Sequence, residues 1–262
     1  MYRFLTRGVV AGLAVALSGC ASQTSTSEVA GECADAFGAD VCTWATMEDD
    51  AVVEVGMTIP LASIEGAPEY APFTWPPAVG AAVQLPEPAA RQNGLSHLTI
   101  NWESMGHPPA TFLVPHFDFH FYLISPDERL AIDCSQLSKP SDLPEGYGMP
   151  DEQLPPELVE ITGVETLIGL CVPEMGMHSL VAVEMESPEP FDGTLVVGYY
   201  EETPIFLEPM ISRSLLLERR SFDLTVPAVP GLQGEQPTMF RADYDSGQDA
   251  YRFTFSGFSG NN

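Results

Sequence analysis

The chain has 262 residues, 45% of them hydrophobic, which is typical of a folded domain and excludes a disordered chain. With 37 acidic residues against 10 Lys and Arg, the formal net charge of −27 repels phosphate backbones and argues against nucleic-acid binding. The 24 prolines exclude long helical bundles, because each one removes a backbone donor and interrupts a regular helix.

The N-terminus has the layout of a bacterial secretory signal. Two arginines precede an apolar run of nine residues, and small residues follow directly before a cysteine. The end of this segment resembles the lipobox of bacterial lipoproteins, in the sequence Leu17-Ser18-Gly19-Cys20. The resemblance implies cleavage before Cys20 and acylation of that cysteine. We therefore predict a signal peptide over residues 1–19 and a cell-envelope protein that is attached to a membrane by its N-terminal lipid, in the periplasm or at the outer membrane.

The four cysteines that follow Cys20 form an even set, as expected for disulfide bonds in an oxidising compartment. Four cysteines can form two disulfides in three different ways, and the sequence is compatible with all three. The simplest joins Cys33 to Cys42, closing a short N-terminal loop, and Cys134 to Cys171, closing the ends of a long proline-rich segment. Four separate buried thiols are the alternative.

Short strand-like runs dominate the rest of the chain. They are rich in β-branched and aromatic residues and are bounded by Gly, Pro, Asp or Asn, over residues 51–59, 98–102, 111–124, 180–185, 194–200, 222–226, 239–244 and 250–255. Helical periodicity is confined to residues 155–161 and 211–220. This pattern predicts a mainly β fold, a single-domain β-sandwich or barrel with a few short helices. Cupin-like and jelly-roll arrangements are both compatible with it.

The predicted organisation has one folded domain. Residues 20–44 are expected to form the lipidated cysteine and a tether with a short disulfide loop, residues 45–258 a single β domain, and residues 259–262 a tail. Two proline-rich segments, 60–88 and 140–156, also contain aromatic residues. Because aromatic rings on a free linker would stay in contact with water, we expect both segments to wrap over the core.

One strand-like run carries most of the candidate chemistry, with the sequence His116-Phe117-Asp118-Phe119-His120-Phe121-Tyr122. Successive side chains of a strand point to opposite faces, so the two histidines, Asp118 and Tyr122 share one face and the three phenylalanines share the other. The aromatic face belongs in the core. The polar face is costly to bury unless its side chains bind one another or a cation.

The spacing along this run limits which side chains can bind one ion. Positions i and i+2 of a strand are about 6.6 Å apart and i and i+4 about 13 Å apart, so His116 and His120 cannot share an ion on a straight strand. Either a bulge brings them together or further ligands come from other parts of the chain. The outside candidates are His107, His178 and Glu208.

Four motifs follow one another as Gly106-His107-x-Pro109, His116-Phe117-Asp118-Phe119-His120-Phe121-Tyr122, Pro173-x-Met175-Gly176-x-His178 and Glu208-Pro209-Met210. Over residues 45–255 they resemble a family of uncharacterised secreted bacterial proteins, a domain of unknown function typified by the sigma-E-controlled protein of Thermus. The resemblance implies that family's fold and a cluster of functional side chains, without an assigned activity. A weaker similarity is to cupins, in which a His-x-His strand pair, a carboxylate and a later histidine bind a metal inside a β-barrel.

The candidate side chains leave two functional interpretations open. In one, His107, His116, His120, His178 and Glu208 line a pocket that binds a small ligand or a divalent zinc, iron, nickel or copper ion, and an enzyme would use Asp118 or Tyr122 to manage protons. In the other, the same side chains form a closed hydrogen-bonded layer, and the protein is a non-catalytic binding or assembly protein that forms homo-oligomers.

Overall fold

Alternating polar and apolar residues fold most of this chain into β-strands in the computed structural model, which describes residues 25–187, 189 and 191–260. The predicted signal peptide and the lipidation site Cys20 lie outside the described residues. Among the described residues, no helix is long and apolar enough to cross a membrane.

The first sheet has six strands, and every neighbouring pair is antiparallel. In spatial order they are β1 (Thr26–Ala36), β2 (Ala39–Glu48), β3 (Ala51–Pro60), β16 (Ala250–Ser256), β15 (Met239–Asp245) and β13 (Phe222–Thr225).

The second sheet has seven strands and is also antiparallel throughout. In spatial order they are β4 (Val79–Gln84), β5 (His97–Glu103), β6 (His116–Tyr122), β12 (Thr203–Ser212), β11 (Gly193–Tyr200), β10 (Met177–Val181) and β7 (Tyr147–Gly148). The strand with the predicted polar row, β6, is therefore central in this sheet.

The remaining elements are short. Two-residue strands form two small pairs, β8 (Glu152–Gln153) with β9 (Thr166–Leu167), and β14 (Glu235–Gln236) with β17 (Ser259–Gly260). The α-helices are α1 (Leu61–Gly66), α2 (Glu87–Asn93), α3 (Pro126–Leu130), α4 (Pro156–Thr162), α5 (Ala182–Met185) and α6 (Arg213–Leu217), and single 3₁₀ turns lie at Ala110–Phe112 and Ile168–Leu170.

The two sheets pack face to face through aromatic side chains. Phe119 of β6 meets Phe253 of β16 edge to face with ring centroids 5.0 Å apart, and Phe121 meets Phe255 in the same way at 5.0 Å. The predicted burial of the phenylalanine face of β6 is confirmed, since all three rings lie in the core cluster. The mainly β fold is confirmed as a sandwich of two sheets rather than a closed barrel.

Several predicted strand boundaries are wrong, for local reasons. The run 111–124 is broken by a 3₁₀ turn and by Pro115, so that the strand covers only His116–Tyr122. The run 180–185 is a strand only to Val181 and continues as α5. Among the strands longer than two residues, the prediction lacks β1, β2, β4 and β12. Because β2 covers Ala39–Glu48, the predicted start of the β domain at residue 45 falls inside the first sheet.

A second apolar cluster lies on the outer face of the second sheet. It joins sheet residues such as Val196 and Phe206 to Phe112, Ile132 and Leu170 from the connecting segments. The only lysine of the chain, Lys139, links two parts of the connecting segment between Cys134 and Cys171, since its Nζ donates to the carbonyl oxygen of Met149 at 2.8 Å and pairs with Asp151 at 2.7 Å. The covered face of the sheet is where the polar row of β6 lies.

Two disulfides cross-link the described chain, Cys33–Cys42 and Cys134–Cys171. They are the simplest of the three pairings open from the sequence. The first joins paired positions of β1 and β2, and the second ties together the ends of the segment that covers the second sheet. Disulfides of this kind indicate an oxidising compartment outside the cytoplasm.

Candidate metal centre

Strand register assembles the polar side chains on the outer face of the second sheet. On β5, Glu103 lies opposite His116 and Asn101 opposite Asp118. On the other side of β6, Met210 of β12 is the partner of Asp118. Because directly opposite residues of an antiparallel pair share a face, three strands contribute side chains to one surface.

The first group of potential ligands consists of His107, His116 and Asp118. The Nε2 atom of His116 is 3.2 Å from Oδ1 of Asp118, and the Nε2 atom of His107 is 3.8 Å from Oδ2 of the same carboxylate. His107 comes from the turn before the 3₁₀ helix Ala110–Phe112 and keeps 32% of its side chain exposed, whereas His116 is fully buried. One carboxylate thus faces two imidazoles.

The second group consists of His120, His178 and Glu208, one from each of three strands. The Nε2 atom of His120 is 3.5 Å from Oε1 of Glu208, and both side chains are at least 98% buried. The His120 and His178 rings meet edge to face at a centroid distance of 6.1 Å. In each of the two groups, the candidate ligand atoms all lie within 4.8 Å of one another.

Backbone carbonyls orient three of the four imidazoles. The Nδ1 atoms of His107, His116 and His178 lie 2.8, 2.7 and 2.9 Å from the carbonyl oxygens of Pro108, Val114 and Leu170. A carbonyl only accepts, so each Nδ1 must carry the proton and donate it. In the neutral imidazole the lone pair is then on Nε2, as in histidines that bind metals.

Several buried polar atoms of these groups have no hydrogen-bond partner among the described residues. They include both ring nitrogens of His120, Oε2 of Glu208, Nε2 of His116 and Oδ1 of Asp118. The contacts at 3.2 and 3.5 Å are therefore poorly aligned for hydrogen bonding. Both distances are close to the separation of two ligand atoms at a tetrahedral metal ion. Two atoms that each lie about 2.1 Å from such an ion are about 3.4 Å apart.

The electrostatic character of the two groups differs. Burial alone would lower the pKa of His107, but the Asp118 carboxylate outweighs burial and raises that pKa to about 9. Burial likewise opposes ionisation of Asp118, and the two neighbouring imidazoles outweigh it, holding its pKa well below the usual range. At neutral pH the first group therefore contains an ion pair between protonated His107 and the Asp118 carboxylate.

In the second group burial dominates. It lowers the pKa of His120 to about 3 and that of His178 to about 4, and it raises the pKa of Glu208, an effect to which the charge of Asp118 adds. Both imidazoles are therefore neutral at pH 7 and able to donate a lone pair.

One cavity reaches both groups. It encloses about 770 Å³ including its open mouth, and its polar wall contains Glu103, His107, Asp118, His120, His178 and Glu208. Burial and the charge of Asp118 raise the pKa of Glu103 to about 7. The rest of the lining is mostly apolar, and it comes from the connecting segments.

The structure separates His116 from His120, as the strand spacing predicts for a straight strand. Each histidine belongs to its own group, and residues from outside β6 complete both groups. Tyr122, predicted as a candidate for proton transfer, does not line the cavity. Its ring stacks between His97 and His120, with centroids at 4.7 and 5.7 Å, and its hydroxyl lies 3.5 Å from the carbonyl oxygen of Glu174.

Glu103 lies at the site but is missing from the sequence-based candidates. The sequence pattern that could have identified Glu103 is the alternation in His97-Leu98-Thr99-Ile100-Asn101-Trp102-Glu103. Every second residue of this run is polar, and the residues between are apolar. This alternation predicts a second polar row, although only the register with β6 shows which residues it faces.

Comparisons of the chain with protein-family models, curated proteins and solved structures give no match. The resemblance to the secreted bacterial family therefore stays a prediction.

Proposed function

We propose that this protein binds divalent transition-metal ions in an oxidising compartment, one ion in each of the two groups on the outer face of the second sheet. The observation that carries the proposal is the orientation of the imidazoles. Three buried or half-buried rings are fixed by Nδ1–H donation to backbone carbonyls, which leaves Nε2 as the atom of each ring that binds an ion, His107 releasing its Nε2 proton as the ion binds.

The unpartnered buried atoms favour metal binding over a closed hydrogen-bonded layer. A closed layer would pair both ring nitrogens of His120 and the second oxygen of Glu208, because a buried polar atom without a partner costs about 1–3 kcal/mol. An ion in contact with Nε2 of His120 and with Oε2 of Glu208 would give both of these atoms a partner at once. Two imidazoles and one carboxylate per ion is the donor set of many zinc and iron sites.

The donor chemistry narrows the choice of metal. Imidazole with carboxylate suits zinc, iron, nickel or copper rather than calcium or magnesium, which prefer oxygen ligands. Of the methionines in or near the motifs, Met175 and Met210 line the cavity, while Met105 is exposed and Met177 lies in the core. A thioether at the cavity wall would favour copper among these metals.

The lipobox-like sequence is the basis for the proposed location of the protein in the cell. With acylation at Cys20, the domain would be held at a membrane of the cell envelope, where the two disulfides would persist. Metal binding and lipid attachment are independent parts of the proposal, since they rest on different residues.

The test of metal binding is elemental analysis of protein purified without a histidine tag. We expect close to two ions per chain in the wild type, one in His116→Ala, one in His120→Ala and none in the double variant. His97→Ala is the matched control, because His97 is a buried histidine of the same sheet face that belongs to neither group. Metal content that is unaffected by His116→Ala and His120→Ala, or near zero in the wild type after incubation with zinc, would refute the proposal.

A further inference from the structure

We infer that the cavity binds a small organic anion, a molecule with a compact apolar body and a single anionic oxygen head. The head would bind to the metal ions of the polar wall, and the body would pack against the apolar wall. This inference rests on the proposed function and adds the class of ligand to it.

The cavity has two chemically distinct walls. The floor, formed by β6, β10 and β12, carries the side chains of the two ligand groups except His107, which comes from the turn after β5. The opposite wall comes from the covering segments and from α4, and it presents Leu154, Leu158, Leu170 and Val172. A ligand that fits both walls must be polar at one end and apolar over the rest of its surface.

The exposed part of the cavity lining is largely apolar. Phe73 and Trp75, from the first proline-rich segment, line the cavity and stack with centroids 6.4 Å apart, and Phe73 is 40% exposed. Pro108 and Pro109 continue this lining next to His107. A ligand that enters here passes aromatic and proline rings beside the partly exposed His107, and these rings favour an apolar body.

The charge of the metal-loaded floor selects an anionic head. With an ion bound, each group would provide one carboxylate, from Asp118 or Glu208, and two imidazoles that carry no proton on Nε2. A divalent ion in such a group leaves one positive charge on that group, and the two charges together exceed the single further carboxylate of the wall, Glu103. Three protein ligands also leave a coordination position open on each ion, the arrangement by which metal centres accept an external oxygen ligand. In a cavity of low polarity, an anion neutralises this charge and occupies that position.

The experiment uses protein loaded with Co²⁺, whose visible absorption reports on metal ligands, and the probes acetate, butanoate, hexanoate and hexylammonium. By isothermal titration we expect hexanoate to bind at least tenfold more tightly than acetate, with butanoate between them, since each buried methylene strengthens binding by about fourfold. Hexanoate should change the Co²⁺ spectrum, and hexylammonium should leave it unchanged.

Two substitutions in α4 separate the apolar wall from the metal. Leu158→Gln, at the cavity, should lower the preference for hexanoate over acetate by at least threefold while the Co²⁺ content stays at the wild-type value. Ile161→Gln is the matched control, because Ile161 lies on the same helix, is 54% exposed and is not part of the cavity lining.

The outcomes distinguish this inference from the proposed function. A protein that does not take up Co²⁺ refutes both. A protein that takes up Co²⁺ but binds acetate and hexanoate equally, or binds hexanoate without a spectral change, or binds hexylammonium as tightly as hexanoate, refutes the inference and leaves metal binding standing.

Discussion

The Nδ1 atom of His178 lies 2.9 Å from the carbonyl oxygen of Leu170, the residue directly before the disulfide-bonded Cys171. The orientation of a candidate ligand on β10 is thus fixed by a segment that a covalent cross-link holds in place. Val172 and Met175, on the other side of that cysteine, line the same cavity. The second group is therefore mechanically connected to the Cys134–Cys171 disulfide.

We expect the double substitution Cys134→Ser with Cys171→Ser to weaken metal binding at the second group by about tenfold, the usual effect of losing an outer hydrogen-bond partner. The measurement is a competition titration of zinc against a chromophoric chelator, in a His116→Ala background that leaves the second group intact. The control is Cys33→Ser with Cys42→Ser, which removes the disulfide of the other sheet. Equal affinities in the two double-serine variants would contradict this connection.

Asp118→Asn should lower the pKa of His107. The Asp118 carboxylate is what outweighs burial and raises this pKa to about 9, so we expect it to fall back toward the ordinary value of 6.5. An NMR titration of the imidazole in metal-free protein measures it. Glu208→Gln serves as the control, because that carboxyl belongs to the other group. A titration midpoint of His107 that stays near 9 in Asp118→Asn would show that a group other than Asp118 raises the pKa of this histidine.

His97 makes folding stability depend on pH. Burial and then the positive charge of Arg129 lower its pKa to about 4, against 6.5 for an ordinary histidine. Between these values the unfolded chain binds a proton that the folded chain does not, so stability is complete above pH 6.5 and is lost as pH falls. The contribution of His97 between pH 7 and pH 4 is about 3 kcal/mol.

His97→Phe keeps a ring against Tyr122 and removes this titration, so its free energy of unfolding should change less between pH 7 and pH 4 than that of the wild type. Urea unfolding at several pH values, with a chelator present, measures the difference. His120 and His178 also have lowered pKa values and remain in both proteins, so they cancel in the comparison. Parallel curves for the two proteins would argue against this contribution.

Phe119→Ala should destabilise the fold by about 3–5 kcal/mol, because it opens a cavity between the two sheets where the ring is fully buried. Leu130→Ala, at a side chain that is 54% exposed, should change stability by less than about 0.5 kcal/mol. Urea unfolding compares the two variants. A small loss for Phe119→Ala would mean that the sheets do not depend on this contact.

The central part of the site was predictable because it lies within one strand. Alternation in β6 sets which side chains face the cavity, and the strand repeat separates His116 from His120 whatever the rest of the fold is. The assignment of His107 and His178 to different groups depends on how connecting segments return to the sheet. No spacing within the sequence contains that information.

The strands absent from the prediction have weak sequence signals with physical causes. β12 contains Pro204 and Pro209, which argue against a central strand because proline cannot donate to a ladder. The structure accommodates Pro209 where the pairing of β12 with β6 is interrupted, between Leu207 and Met210. β1 is rich in small and acidic residues and lies at a sheet edge, where, among the described residues, β2 is its one strand partner and is linked to it by a disulfide.

The contacts of Lys139 have a practical consequence. Since the chain has no other lysine, an amine-reactive dye would attach to a single side chain, and that side chain links residue 139 to residues 149 and 151 within the segment that lies over the second sheet. The labelling rate of Lys139 would therefore report how often these contacts inside the covering segment open, and the same rate measured with and without bound ions would show whether the segment becomes more rigid when the sheet beneath it holds metal.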